Sequence, residues 1–238
     1  MMVSVKQRID FKAMRLALKT STPVFFGYLA IGIAFGLLLK DAGYPWYLAL
    51  IMSVFIYAGA GQYLAVGFFT NNANFIEVAT VTFLVNFRHM VYGLSLFDKF
   101  NMTGRLKPYM IFSLTDETYA LLTSVKDPVD INKGQFYFFI ALLNQFYWVL
   151  GGLIGAIAGS FMTINTKGLD FALTALFIVL LIEQLKSYHT RIPFFIGGFC
   201  AVVAIAVIGK ENMLLFAVIS SIIMLLVCRE RIIEDDLN

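Results

Sequence analysis

Charged residues are scarce in this 238-residue chain. They make up 14% of the sequence, whereas hydrophobic residues make up 60% and the mean hydropathy is +0.81. A soluble domain carries about 25% charged residues. The composition therefore excludes an ordinary soluble domain and predicts a protein embedded in the lipid bilayer. We predict no nucleic acid as a partner.

Cysteine is also rare, with only Cys200 and Cys228, and both lie in apolar segments. Neither has a second Cys or His near it at metal-ligand spacing, so we predict no disulfide, metal site or cofactor. The sequence lacks a glycine-rich phosphate-binding loop, a nucleophile elbow and an HExxH pattern. Direct use of ATP and an intramembrane enzyme are therefore not expected.

Long apolar runs are what the sequence has in abundance. A helix needs about 20 residues to cross a hydrocarbon core about 30 Å thick. Segments near or above that length are residues 23–39, 46–69, 75–97, 109–125, 135–161, 169–185, 193–208 and 212–228. Their lengths and lack of strict alternation favour helices over barrel strands. We predict an all-α polytopic bundle of about seven to eight apolar segments in one permease domain, residues 21–228.

The first twenty residues are predicted to form a basic amphipathic leader, without the pattern of a cleavable signal peptide. One helical face of this leader is apolar, and its five basic residues are Lys6, Arg8, Lys12, Arg15 and Lys19. A disordered leader is the alternative to an interfacial helix. In both cases the positive-inside rule predicts a cytoplasmic N-terminus. The last ten residues, 229–238, form a charged tail whose side is not predicted.

A second basic loop, with Lys99, Arg105 and Lys107, conflicts with that rule if every segment crosses completely. The stretch YAGAGQ, residues 57–62, interrupts segment 46–69 with Gly59, Gly61 and other small residues. If this segment enters the membrane and returns on the same side, the basic loop becomes cytoplasmic. The alternative is a complete crossing with a flexible midpoint.

Glycines recur at spacings of four in GIAFG, residues 32–36, and in GGLIGAIAG, residues 151–159. Small residues at this spacing let helix backbones approach closely, so we predict helix packing at both. Because each stretch opens one half of the chain, an internal repeat of the kind found in transporters is also predicted.

Polar side chains inside apolar segments carry the functional prediction, because a charge at the bilayer centre costs at least about 2.5 to 3.5 kcal/mol. Further polar groups occur at Ser113, Thr115, Asn144 and Gln145, and near segment ends at Glu77 and Glu183. The candidates for substrate binding or proton coupling are Gln62, Asn86, Arg88, His89, Asp116 and Glu117.

Arg88 and the acid pair Asp116 and Glu117 have opposite charge, so we predict an ion pair between them. A structural pair that pins two helices is the alternative reading. Two adjacent acids point about 100° apart on a helix and do not both serve one Arg easily, which leaves one acid for substrate or a proton. His89 titrates near neutral pH and is a second candidate proton carrier, or else a hydrogen-bonded packing residue.

The ordered set TPVFFGYLAIGIAFG, AGAGQY, NFRHMVYGLSL and TDETYA, between residues 20 and 120, resembles the AzlC (YgaZ) family. The second half agrees mainly in its hydrophobic segments and its glycine-rich stretch. Compared with the pattern in that family, Gly61 stands where Ser is frequent, and Tyr63 and Tyr119 stand where Phe is common.

The resemblance implies the large subunit of a bacterial branched-chain amino acid exporter in the inner membrane. Its substrates would be leucine, isoleucine and valine, with methionine as a further candidate. Its partner would be a small hydrophobic membrane subunit of the AzlD (YgaH) type. Arg88 or a helix N-terminus at residues 59–61 would take the substrate carboxylate, and Asp116 or Glu117 the ammonium. A structural or assembly subunit whose polar clusters dock a partner is the alternative function. An intramembrane enzyme that uses His89 with Asp116 or Glu117 as acid and base ranks below it, for want of the motifs named above.

Overall fold

The structure is a computed structural model that describes residues 9–70, 73–125, 130–161, 190–208 and 213–229, with residues 178, 181, 182, 185 and 186. All regular secondary structure in these residues is helical, as predicted. The helices are α1 (Phe11–Asp41), α2 (Trp46–Phe55), α3 (Gly59–Thr70), α4 (Phe75–Asn86), α5 (Arg88–Ser95), α6 (Phe97–Met102), α7 (Lys107–Phe112), α8 (Asp116–Ser124), α9 (Lys133–Phe161), α10 (Ile192–Ile208) and α11 (Met213–Val227). The predicted segment 169–185 lies almost wholly outside the described residues.

The chain divides into two compact units. The first comprises Met1–Asn72 and Thr82–Ala172, and the second comprises Ala73–Val81 and Leu173–Asn238. In the second unit α10 and α11 pack against each other. Both helices match the predicted segments 193–208 and 212–228 within one residue at each end. All candidate site residues lie in the first unit.

A parallel pair of long helices, α1 and α9, forms the centre of the first unit. The glycines of α1 face those of α9: a Cβ added at Gly32 would lie 3.0 Å from the amide nitrogen of Gly152, and one at Gly36 would overlap the Gly152 carbonyl. Backbones this close leave no room for side chains. The prediction that the two glycine-rich stretches pack helices is confirmed.

Both helices are continuous. α1 has 31 residues and runs from Phe11 through Pro23 into the apolar segment, so the described part of the basic leader is the first part of a long helix and not a separate one. Its Ala13 and Ala17 are fully buried. Of the described helices, α1 and α9 are long and apolar enough to cross a membrane, while α2 and α10 are shorter apolar helices.

The end of the pair where both helices begin, which we name the amino end, is held by Asp10. The Asp10 carboxylate accepts hydrogen bonds from the backbone N–H groups of Lys12 and Ala13 and caps α1. Its second oxygen accepts from the N–H of Asn132, next to the start of α9, at 2.9 Å. The Asp10 N–H in turn donates to the side chain of Gln135. One carboxylate therefore caps one helix and ties it to its neighbour.

We expect Asp10→Ala to lower the melting temperature by an amount that depends on pH. The N–H of Asn132 holds the pKa of Asp10 below its usual value, so the ionised form stabilises the fold. That contribution is present above the unfolded-state pKa of about 3.9 and is lost as pH falls through the lower folded-state pKa. The difference between wild type and variant, measured by thermal unfolding, should be constant near neutral pH and shrink below about pH 4. Asp130→Ala, at a nearby carboxylate, is the control, and a difference that persists in acid would contradict the assignment.

The segment 46–69 does not cross the unit. α2 leads inward from the carboxyl end of the pair, the chain turns at residues 56–58, and α3 leads back. The ring of Phe69 near the end of α3 lies 5.2 Å from the ring of Tyr44 just before α2. In one straight helix residues this far apart would be separated by over 30 Å. The re-entrant alternative is therefore the one that the structure adopts, and we name residues 46–70 the first hairpin.

A second hairpin, residues 107–124, enters from the amino end, where the sequence predicted an apolar segment long enough to span. α7 ends at Phe112, the chain turns at residues 113–115, and α8 returns. Met110 of α7 and Leu122 of α8 lie in the same buried cluster as Ala13 and Ala17. The break has a local cause, because the Thr115 hydroxyl caps the N-terminus of α8 by accepting from the N–H of Thr118. A complete span over 109–125 is therefore wrong.

The basic loop between α5 and α7 lies at the amino end. Phe100 of α6 belongs to the same cluster as Ala13, and the backbone of Met102 touches Gly134 at the start of α9. Lys99 donates to the carbonyl of Leu122 at the end of α8, where a cation complements the helix dipole. Lys99, Arg105 and Lys107 thus share the end of the unit with the start of α1. This placement agrees with the positive-inside rule.

Candidate functional site

The tips of the two hairpins meet beside the middle of α1 and α9. Tyr57, at the tip of the first hairpin, has its ring 6.4 Å from that of Phe112 at the tip of the second. Tyr28 of α1 donates a 2.6 Å hydrogen bond to the carboxylate of Glu117, and its hydroxyl lies 2.8 Å from the hydroxyl of Thr115. The two hairpins therefore place polar groups near the centre of the unit, where the two chain breaks and the helix ends that flank them come together.

The two hairpins are held by three residues of α9, Asn144, Gln145 and Trp148. Asn144 donates to the Thr118 hydroxyl of α8 at 3.0 Å. Its neighbour Gln145 donates to the carbonyl of Val54 at the end of α2 and accepts from the hydroxyl of Tyr109 in α7. Interrupted helices are tolerated at membrane depth only where such partners satisfy the freed backbone groups. The polar interruption that the sequence shows at residues 144–145 is explained by this attachment.

The predicted ion pair forms between Arg88 and Asp116. A guanidinium Nη of Arg88 lies 2.8 Å from one carboxylate oxygen of Asp116, and about a quarter of each side chain is exposed. Arg88 is the first residue of α5, and Asp116 is the first residue of α8. The pair is only partly satisfied, because the Nε of Arg88 and the Oδ1 of Asp116 are both buried without a hydrogen-bond partner. One donor and one acceptor of the pair therefore have no partner within the described residues.

The two adjacent acids separate as the helix geometry predicts. Asp116 pairs with Arg88, while Glu117 turns to the hydroxyl of Tyr28. Both lie in the first turn of α8, where the helix dipole favours negative charge. α8 thus begins with one carboxylate in contact with a cation and one that accepts from a tyrosine hydroxyl.

Asn86 and His89 lie next to Arg88 but make local contacts. Asn86 donates to the carbonyl of Thr82 one turn earlier, and the His89 Nδ1 lies 3.2 Å from the carbonyl of Asn86. The His89 ring stands edge-on to that of Tyr92 at 5.7 Å. His89 is half buried and within electrostatic reach of Asp116 and Arg88. Both residues flank the ion pair.

Gln62 lies in a packed interior instead of beside the ion pair. It is fully buried, accepts from the indole N–H of Trp148 at 2.8 Å and donates to the hydroxyl of Ser53. Gly59 packs on the Trp148 ring, since an added Cβ would lie 3.3 Å from it. Gly61 is close to Asn86, whose amide nitrogen would lie 3.7 Å from an added Cβ. These contacts position the α3 end of the first hairpin.

Tyr57 carries features that sequence reasoning missed. It is the one non-glycine residue with positive φ among the described residues, at 43°. Such a conformation costs about 1 to 3 kcal/mol and is typical of functional sites. Its side chain is 3% exposed, and its hydroxyl lies beside Tyr28, Thr115 and Glu117 without a hydrogen bond of normal geometry. The small-residue pattern AGAGQ marks the break but not the tyrosine before it.

The site lies within a region that matches a known family. The family model for the AzlC protein matches residues 23–162. This range contains the ion pair, both hairpin tips, Tyr28 and the three α9 residues that hold the hairpins.

Relatives match most of the chain. An uncharacterized membrane protein of Helicobacter pylori strain J99 is 40% identical over 94% of this chain and 98% of its own length. The branched-chain amino acid transport protein AzlC of Bacillus subtilis strain 168 is 36% identical over 92% of this chain and 86% of its own length. The inner membrane protein YgaZ of Escherichia coli K12 is 27% identical over 71% of each chain. No solved structure matches this chain.

Proposed function

The chain is a membrane protein of the AzlC family, and from this premise we propose that it is a secondary transporter that exports branched-chain amino acids. The substrates are leucine, isoleucine and valine, with methionine as a further candidate. The name of the Bacillus subtilis relative supports the substrate class, and the half-satisfied ion pair of Arg88 and Asp116 is the observation in the structure that carries the proposal.

The two atoms of this ion pair that lack a partner match the two charged groups of a zwitterion. The Nε of Arg88 donates, which fits a carboxylate, and the Oδ1 of Asp116 accepts, which fits an ammonium group. An amino acid bound between them gains two charge-assisted hydrogen bonds, worth about 1.5 to 3 kcal/mol each. The position beside two chain breaks is typical of transporter substrate sites near the bilayer midplane.

Export is driven by proton entry in this proposal. His89 or one of the two acids, Asp116 or Glu117, carries the coupling proton, because the acids lie beside the hairpin tips and His89 lies within electrostatic reach of Asp116. The protein resides in the bacterial inner membrane with its amino end in the cytoplasm, supported by the basic residues at that end. A small membrane subunit of the AzlD type assembles with it, as the resemblance implies.

Transport by the purified protein tests the proposal. Proteoliposomes containing this chain, with and without the small subunit, should release radiolabelled leucine saturably under an imposed proton gradient. Excess isoleucine and valine should compete, and excess lysine should not. Absence of leucine efflux from correctly folded protein with its subunit would contradict the function.

Asp116→Asn should reduce leucine efflux by about tenfold or more and leave the fold intact. Asparagine keeps the shape of the side chain and a carbonyl acceptor, but it removes the charge that holds the ammonium group. Initial efflux rates across leucine concentrations measure the effect, and melting temperature reports folding. Asp98→Asn, a surface change in α6, is the matched control. Efflux at the wild-type rate with unchanged pH dependence in both Asp116→Asn and Glu117→Gln would exclude the acids from the mechanism.

A further inference from the structure

A second polar cluster, next to the ion pair, offers only oxygen atoms as potential ligands. It consists of oxygen atoms from the two hairpins, α1 and α9, contributed by Tyr28, Tyr57, Thr115, Glu117, Thr118 and Asn144. Arg88 and Asp116 are not part of this set.

Contacts link the members of this cluster in sequence. The Thr115 hydroxyl lies 2.8 Å from that of Tyr28 and donates to that of Thr118 at 3.0 Å. Thr118 then accepts from the amide of Asn144. Thr115, Thr118 and Asn144 are all at least nine-tenths buried. The cluster therefore forms one connected group in the interior of the first unit.

Two members of the cluster have unused hydrogen-bonding capacity. The Oδ1 of Asn144 and the hydroxyl of Tyr57 are both buried without a partner, on side chains that are 0% and 3% exposed. A buried polar group without a partner destabilises the fold, so two of them in one cluster call for a ligand. A proton on Glu117 would add one donor there and would leave the acceptor of Asn144 unsatisfied.

We infer that this cluster binds a sodium ion between the tips of the two hairpins. Oxygen ligands select hard cations over transition metals, which prefer nitrogen and sulfur. The set includes a single carboxylate, Glu117, and otherwise neutral oxygens, which matches one positive charge better than two. Unwound segments and the C-terminal ends of half-helices coordinate sodium in other transporters, and α2 and α7 both end at the hairpin tips. The inference concerns binding alone and holds whether protons or sodium drive transport.

Thermal unfolding of the purified full-length chain tests the site without substrate. As NaCl replaces choline chloride at constant ionic strength, the melting temperature should rise saturably, because a ligand bound only by the folded state stabilises it. Tyr57→Phe removes a hydroxyl that has no hydrogen bond of normal geometry, so the variant should fold. It should weaken the apparent affinity for sodium about tenfold, since an ion contact of this kind is worth at least about a factor of ten.

Tyr63→Phe is the matched control. Tyr63 is buried in the same hairpin, but its hydroxyl donates to the carbonyl of Ile31 away from the cluster. Whatever the melting temperature of this control without sodium, its sodium-dependent rise should equal that of the wild type. A separate series with leucine in choline chloride shows whether the cluster instead responds to an amino acid.

The melting experiments distinguish a sodium site from a substrate site and from no site. A sodium-dependent rise in wild type and Tyr63→Phe, with reduced affinity in Tyr57→Phe, supports the site. Equal melting temperatures in sodium and choline, or an unchanged sodium affinity in Tyr57→Phe, overturns it. A leucine-dependent rise that Tyr57→Phe loses, without any response to sodium, also overturns it and assigns the cluster to substrate. Failure of leucine transport would not affect this result.

Discussion

Arg88→Gln should lower leucine efflux from proteoliposomes by about 10- to 100-fold while the protein still folds. The variant removes the Nε donor and the positive charge proposed to hold the substrate carboxylate, a loss of about 1.5 to 3 kcal/mol. Part of the effect comes from Asp116, which loses its partner. Because both side chains are about a quarter exposed, solvent limits that second contribution. Initial efflux rates at several leucine concentrations measure the change.

Arg105→Gln provides the matched control for charge. It is the same substitution in the basic loop at the amino end, away from the hairpin tips. We expect efflux close to the wild-type rate, since a surface charge away from the site should have little effect. If both variants transport leucine equally poorly, the loss reflects net charge or folding and not the ion pair.

A double variant distinguishes a substrate-binding role of the ion pair from a purely structural role in holding α5 and α8 together. The structural alternative has support, because the rings of Tyr92 and Tyr119 stack at 4.1 Å between the same two helices, α5 and α8. If Arg88 and Asp116 only join helices, Arg88→Gln with Asp116→Asn should recover much of the efflux, since no charge is left unpaired. If they bind the zwitterion, the double variant should be at least as impaired as either single one. Recovery to the wild-type rate would contradict the proposed site.

The ion pair and the first chain break were predictable from sequence for one reason. A charge or a cluster of small residues inside an apolar segment is expensive unless something compensates for it, so its occurrence is informative. Opposite charges were few enough that Arg88 had only the two acids as strong partners. Charge bias in the loops then made a re-entrant segment 46–69 one of two alternatives, and the contact between Tyr44 and Phe69 decides for it.

The second hairpin was not predictable in the same way. Residues 109–125 are long and apolar enough to read as one helix, and the break depends on Thr115 acting as a cap. Thr and Ser also occur inside transmembrane helices, where they bond to their own backbone, as Thr22 does here. Only tertiary partners decide between the two behaviours. In this chain Tyr28 and Asn144 supply those partners from α1 and α9.

The roles of Tyr28 and Tyr57 could not be predicted from the sequence either. Tyrosine is common in membrane segments, and neither the backbone conformation of Tyr57 nor the burial of its hydroxyl leaves a pattern in the sequence. The predicted internal repeat stays a prediction. What the structure adds is that the two glycine-rich helices pack together in parallel, and that the hairpins enter from opposite ends to meet beside them.

Gly155→Ala should destabilise the protein more than any substitution at the site. A Cβ at this position would overlap the backbone carbonyl of Ile33 and also lie 2.8 Å from two further backbone atoms of that residue. A backbone cannot move aside as a side chain can, so α1 and α9 must separate. Overpacking of this kind costs about 1 to 3 kcal/mol or more. The better helix propensity of alanine returns only about 1 kcal/mol, so the net effect is loss of stability.

Gly27→Ala is the control, because it is the same substitution in α1 at a position where an added Cβ meets nothing within 4 Å. Its melting temperature should equal or slightly exceed that of the wild type, since only the propensity term remains. Thermal unfolding in detergent, followed by tryptophan fluorescence, compares the two variants directly, because Trp148 lies on α9. A Gly155→Ala protein as stable as Gly27→Ala would mean that the helices are not in backbone contact. The hairpins would then lose their fixed support, since Asn144, Gln145 and Trp148 hold both of them from α9.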